Sequence, residues 1–72
     1  MTAHDKEVLE RLGFKIRWYS DGKDHAKGYG EYGANGFLTV HDDGTFNLSC
    51  FSNVFDEICK DISKLRKEGV VK

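Results

Sequence analysis

The chain contains no proline, and only two cysteines, one methionine and one tryptophan among its 72 residues. Two cysteines are too few for a disulfide-stapled secreted mini-domain, which usually carries several bridges in so short a chain. Cys50 and Cys59 form no C-x-x-C pair, and His4, His25 and His41 stand in no H-x-x-x-H pattern, so no zinc-binding motif is present. Both cysteines read as free thiols on apolar faces. No apolar run approaches the roughly 18 residues of a membrane-spanning helix. Neither sign of charge is in excess: eleven basic residues oppose twelve acidic ones, for a net charge of −1. That balance excludes bulk attraction to nucleic acid or to an anionic membrane. Met1-Thr2-Ala3-His4-Asp5 lacks the basic and apolar regions of a signal peptide, so a cytoplasmic location is expected.

What is present suits one small domain. Apolar residues make up 39% of the chain and aromatics 12%, enough for a core and unlike a disordered segment. A chain this short buries only about 60% of its unfolded surface, so its stability margin is thin.

Hydrophobic periodicity divides the chain. Residues 3–12 predict a helix, with Val8, Leu9 and Leu12 on one face. Thr2 caps it with Asp5 as capping-box partner, and Gly13 supplies the left-handed residue after it. Residues 14–19 alternate as a half-buried strand, with Phe14, Ile16 and Trp18 inward. Residues 20–36 hold Gly22, Gly28, Gly30, Gly33 and Gly36 with no clear period, and read as a long Gly-rich loop, with a short extra strand near Lys27–Tyr32 as the alternative. Residues 37–41 and 45–51 form a hairpin closed by Asp42-Asp43-Gly44. A three-residue loop sets Val40 opposite Phe46, Thr39 opposite Asn47 and Leu38 opposite Leu48, matching polarity in each pair. A two-residue loop would set Val40 against Asn47 and is rejected, because a one-residue slip turns every side chain to the wrong face. Gly44 falls where the left-handed residue of a three-residue loop is needed.

Residues 53–68 make the strongest helix. Phe55, Ile58, Cys59, Ile62 and Leu65 form its stripe, Ser52 or Asn53 its cap and Gly69 its end. The expected fold is α+β. It is a small two-layer sandwich in the order helix, strand, Gly-rich loop, strand, strand, helix. Its sheet is three-stranded and mainly antiparallel, with both helices on one face. Strand 14–19 is expected beside 37–41, or alternatively beside 45–51. The expected inner face carries Phe14, Ile16, Trp18, Leu38, Val40, Phe46, Leu48 and Cys50.

Catalytic signals are absent. Gly28-Tyr29-Gly30-Glu31-Tyr32-Gly33 matches G-x-G-x-x-G by letter. It opens no predicted helix, however, and puts Glu31 where phosphates would lie, so it reads as loop and not as a nucleotide site. His25 with Asp24, or His41 with Asp43, lacks a placed nucleophile or oxyanion donor. The expectation is a non-enzymatic protein with no catalytic residue, no cofactor and no metal site.

The outer sheet face is the informative surface. Lys15, Arg17 and Tyr19 come from the first strand. Phe37, Thr39 and His41 come from the second, and Asn47, Ser49 and Phe51 from the third. A merely solvated face rarely carries three aromatics. With Tyr29 and Tyr32 of the loop, the candidate partner-binding residues are Lys15, Arg17, Tyr19, Tyr29, Tyr32, Phe37, His41 and Phe51. Aromatics and arginine are enriched at protein interfaces, so a protein partner is the first reading. The size and the missing catalytic parts suit a small inhibitor or accessory factor of the kind that phages and mobile elements encode, acting by occlusion. The alternative is RNA or single-stranded DNA, since basic residues interleaved with aromatics hold phosphates and stack bases. A homodimer through an exposed edge strand is the third reading. In the blandest reading, the Gly-rich loop folds back over these rings.

The helix–strand–strand–strand–helix order is similar to double-stranded-RNA-binding domains. Gly22-Lys23-Asp24-His25-Ala26-Lys27 looks like the loop with which that family carries a histidine into the minor groove. The family's lysine cluster at the start of the last helix is replaced by Asn53, Asp56 and Glu57. The phosphate grip is therefore missing and the family is not adopted.

Overall fold

A computed structural model describes residues 1–20 and 25–72 of the chain. The elements are α1 (Ala3–Arg11), β1 (Lys15–Tyr19), β2 (His25–Glu31), β3 (Gly36–Val40), β4 (Phe46–Cys50) and α2 (Phe55–Lys67), with a 3-10 turn at Ser52–Val54 before α2. The fold is α+β: two helices lie over one face of a four-stranded sheet.

The helix α1 starts as its sequence dictates. Thr2 Oγ1 accepts from the Asp5 N–H at 3.1 Å, and the Asp5 carboxylate accepts from the Thr2 N–H. This capping box satisfies donors that the first turn would leave orphaned. Gly13, at φ +90°, turns the chain out of the helix into β1.

The sheet runs in chain order, β1-β2-β3-β4, with every pair antiparallel. This corrects both expected positions of residues 14–19, because β2 lies between β1 and β3. It also corrects the expected loop at 20–36, which contains a seven-residue strand. The physical reason lies in the inner face of β2. Its inward positions are Ala26, Gly28 and Gly30, all buried. A Cβ built on Gly28 would sit 2.8 Å from Leu9 Cδ1, and one on Gly30 2.6 Å from Phe14 Cζ. The glycines let α1 and Phe14 approach the backbone closely, a recognised use of glycine within strands. They also remove the apolar alternation by which a strand is read. The G-x-G spacing is therefore a period-two stripe of small residues. Asp21, Gly22, Lys23 and Asp24 lie outside the described residues, and with them most of the expected RNA-groove loop.

The β3–β4 hairpin has the expected register. Val40 pairs with Phe46, Thr39 with Asn47, Leu38 with Leu48 and Phe37 with Ser49. Gly44 is left-handed at φ +86°. The Asp43 carboxylate accepts from both the N–H and the hydroxyl of Thr45, which pins the turn. Asp42 ties the same turn to its surroundings. Its carboxylate pairs with the Met1 amine and accepts from the Ala26 N–H.

The core gathers Leu9 and Val8 from α1, Phe14, Leu38 and Val40 from the sheet side, and Ile58, Ile62 and Leu65 from α2. Three expectations fail at its margins. Trp18 is 55% exposed, with the Lys6 ammonium 5.0 Å from its ring centroid. It faces the helix layer at the sheet edge but lies beyond the helices' cover. Phe55 is 49% exposed, and Val54 is buried in its place. The stripe therefore starts one residue earlier, because the chain enters α2 through the 3-10 turn. That entry also removes the expected cap: the residue before α2 is Val54, and neither Ser52 nor Asn53 caps by side chain. Gly69 ends α2 at φ +80° as expected. Beyond it, Val70 and Val71 are buried, and the Lys72 N–H donates to the Gly44 carbonyl at 3.0 Å. Both cysteines are free and partly buried. No described helix is long and apolar enough to cross a membrane.

Candidate functional site: the open sheet face

The strands alternate, so the face opposite the helices is set by parity. Register places Lys15, Tyr29, Thr39 and Asn47 in one row across that face. Neighbouring rows hold Arg17 with Lys27, Tyr19 with His25, and Glu31 with Phe37 and Ser49. Within the described part of the Gly-rich segment, His25–Glu31 joins the sheet as β2 and does not fold back over it. It adds His25, Lys27, Tyr29 and Glu31 to the face.

Seven of the eight candidate residues belong to this side of the sheet: Lys15, Arg17, Tyr19, Tyr29, Phe37, His41 and Phe51. Tyr32 does not. It continues the inward parity of Gly28 and Gly30, packs against the core and donates to the Asp61 carboxylate on α2 at 2.5 Å. Burial, reinforced by that carboxylate, pushes the Tyr32 phenol well above its ordinary range. Its role is to tie the β2–β3 connection to α2. His25 and Lys27 belong to the face but were missed, because their strand was read as loop.

The face has two halves. Toward β1 it is polar and hydrogen-bonded. The Tyr19 and Tyr29 hydroxyls meet at 2.5 Å, and His25 stacks on Tyr19 at 5.2 Å between centroids. The Lys27 ammonium lies 5.6 Å from the Tyr19 centroid. The hydrogen bond between the two hydroxyls lowers the Tyr19 pKa and raises that of Tyr29. Arg17 also favours the Tyr19 phenolate.

Toward β3 and β4 the face is open, with two exposed rings set among the polar Thr39, His41, Asn47 and Ser49. Phe37 is 48% exposed and Phe51 67%. Both line a groove of about 870 Å³, together with Lys15, Arg17, Tyr29 and Thr39. Thr39 is buried at the centre of this face. His41 sits at the far end, bonded through Nε2 to the Asn47 amide at 3.0 Å.

Charge is unevenly spread. Arg17 and Lys27 stand directly opposite each other across β1 and β2. Like charges in that position destabilise a sheet. Among the described residues, no carboxylate forms an ion pair with Lys15, Arg17 or Lys27. Among the same residues, no group of three or more histidine, cysteine or acidic side chains is placed to hold a metal. Exposed rings thus lie beside cations that have no ion-pair partner among the described residues. No protein-family model, curated protein or solved structure matches the chain.

Proposed function

We propose that this protein is a non-enzymatic binding module, and that its open sheet face receives a protein partner. One observation carries the reading. Phe37 is 48% exposed and Phe51 67%, in a groove that no helix covers. Desolvating aromatic anchors of that kind supplies most of the energy at protein interfaces. The facing cations Arg17 and Lys27 define the partner's chemistry. The partner presents an apolar side chain to the groove and carboxylates to the β1–β2 half. Binding then relieves the like-charge repulsion that the free sheet carries. The action is occlusion: a small rigid face covers a functional surface of a larger protein. A cytoplasmic inhibitor or accessory protein of a phage or mobile element is the setting this suits.

The test is affinity capture from host lysate after nuclease treatment, followed by titration of the captured protein with purified domain. Wild type binds, whereas Phe37→Ala and Arg17→Glu each lose most of the affinity while remaining folded. Equal binding by wild type and both variants removes this face from the function.

A second reading has its own observation. Lys15, Arg17 and Lys27 lie next to Tyr19 and Tyr29, a mixture that also suits single-stranded RNA or DNA. Glu31 in the same groove and the net charge of −1 oppose it. A mixed-sequence oligonucleotide at low salt discriminates. Steeply salt-dependent binding favours the second reading, because each neutralised phosphate releases counterions.

A further inference from the structure

We infer that the β4 edge is a pairing surface for a second copy of this chain, joined antiparallel about a two-fold axis at Leu48. The two edges of the sheet differ in how they are guarded. Natural edge strands avoid self-pairing by charge, proline, bulges or cover. The strand β1 carries Lys15 and Arg17, so two copies meeting there would bring like charges together. The strand β4, Phe46-Asn47-Leu48-Ser49-Cys50, holds no charge, no proline and no glycine. Its three central residues are exposed, while Phe46 and Cys50 pack toward the core and Arg66 of α2 lies 5.8 Å from the Phe46 ring centroid.

The ladder decides which backbone groups are free. His41 N–H donates to the Thr45 carbonyl, and Phe51 N–H donates to the Asn35 carbonyl. Hydrogen-bonded pairs recur at every second residue in an antiparallel ladder. Between these two bonds, Asn47 and Ser49 are therefore turned toward β3. The N–H and C=O groups of Phe46, Leu48 and Cys50 point away from the sheet.

That alternation is self-complementary. With the two-fold at Leu48, Leu48 faces its own copy, and Phe46 of each chain faces Cys50 of the other. All of these residues present outward backbone groups, so each facing pair exchanges both bonds. Asn47 and Ser49 then face each other as the intervening non-bonded pair. Side chains also match: Leu48 meets Leu48 on the helix side, and polar meets polar on the open side. Three of the five exposed large apolar residues lie on or just after this strand, whereas Trp18 is on the opposite edge and Phe37 on β3. Leu48 is 36% exposed, and Phe51 and Phe55 follow it closely in the chain at 67% and 49%. A second copy is thus the occupant that fits both the backbone and the side chains.

The two-fold stands perpendicular to the sheet. Both open faces therefore lie on one side of an eight-stranded sheet, and all the helices lie on the other. The pairing does not depend on what the open face binds.

Sedimentation across a micromolar-to-millimolar series tests the pairing. Wild type is expected to reach twice the 8.2 kDa chain mass. Leu48→Lys is expected to stay monomeric with an unchanged circular dichroism spectrum. Residue-resolved hydrogen exchange on the wild type supplies a second measurement that needs no variant. Exchange at the Phe46, Leu48 and Cys50 amides should slow about tenfold or more with concentration, while that at Asn47 and Ser49 changes little. A wild type that remains monomeric at millimolar concentration overturns the inference. So does a dimer in which these three amides gain no protection, or one that Leu48→Lys leaves intact.

Discussion

Gly30 lies directly beneath Phe14, so close that a Cβ on the glycine would be 2.6 Å from the tip of the ring. Phe14 is itself buried, with little room to withdraw. Gly30→Ala should therefore destabilise the domain by about 1–3 kcal/mol, the usual cost of overpacking. Gly28→Ala should cost less, because the atom it meets is a leucine methyl that can rotate, and replacing a strand glycine recovers about 0.5–1 kcal/mol. Urea denaturation of both variants checks the order. A Gly30→Ala protein as stable as wild type would show that Phe14 does not sit this close to β2.

Tyr32 supplies an alkaline signature. Its folded pKa is raised by burial and by Asp61, so the native state favours the neutral phenol. Stability is full below the ordinary tyrosine pKa near 10. It falls as pH rises above that value, because the unfolded chain ionises first. Tyr32→Phe should flatten that alkaline loss. At neutral pH it should cost about 1–2 kcal/mol, since Asp61 loses its donor. Ultraviolet titration should find one tyrosine, Tyr32, that resists ionisation longest.

Asp42 supplies an acid signature. Burial alone would raise its pKa, but hydrogen bonds from the Met1 amine and the Ala26 N–H outweigh it and hold the carboxyl below its ordinary value. A depressed folded pKa adds stability above the unfolded value near 4, and that stability is lost as pH falls through the folded one. Asp42→Asn should lower stability by about 0.5–1 kcal/mol at neutral pH and weaken the acid dependence. Thermal melts between pH 2 and pH 7, as a rough span around that titration, follow it.

The open face separates binding from folding. Phe51→Ala and Tyr19→Ala remove side chains that the core does not hold. Phe51→Ala should change stability by no more than about 0.5 kcal/mol. Partner affinity should fall by about 2 kcal/mol for Phe37→Ala or Phe51→Ala, the scale of an aromatic anchor, and by less for Tyr19→Ala. Isothermal titration against the captured partner measures each. Full affinity in the Phe37→Ala and Phe51→Ala variants would remove the anchors from the proposal.

Legibility in the sequence followed side-chain contrast. Where apolar and polar residues alternate, as from Phe37 to Ser49, parity alone placed the turn and the register. The capping box at Thr2 and Asp5 and the left-handed Gly13, Gly44 and Gly69 were readable for the same reason: each has one local chemical job. The strand β2 was not readable, because its inward positions are small where a core strand is normally large. The need for small residues there comes from Leu9 and Phe14, which are distant in sequence. Trp18 and Phe55 failed from the opposite side. Their hydrophobicity predicts burial, but Trp18 lies on the edge strand β1 and the 3-10 entry into α2 buries Val54 in place of Phe55. Most of the candidate face was found from strand parity, Tyr32 was assigned to the wrong layer, and His25 and Lys27 were lost with their strand.

The chain-order sheet also bears on how quickly this molecule reaches its native state. Each strand pairs with its sequence neighbour, so no step requires a long segment to be threaded or held open. The shortest closure is the Asp42-Asp43-Gly44 turn, and hairpins of that kind form in about 1–10 μs. From that nucleus β2 and then β1 can zip on in turn. The glycine stripe then lies bare until Leu9 of α1 and Phe14 close over it, so the packing of β2 is completed by residues from outside the sheet's own pairing.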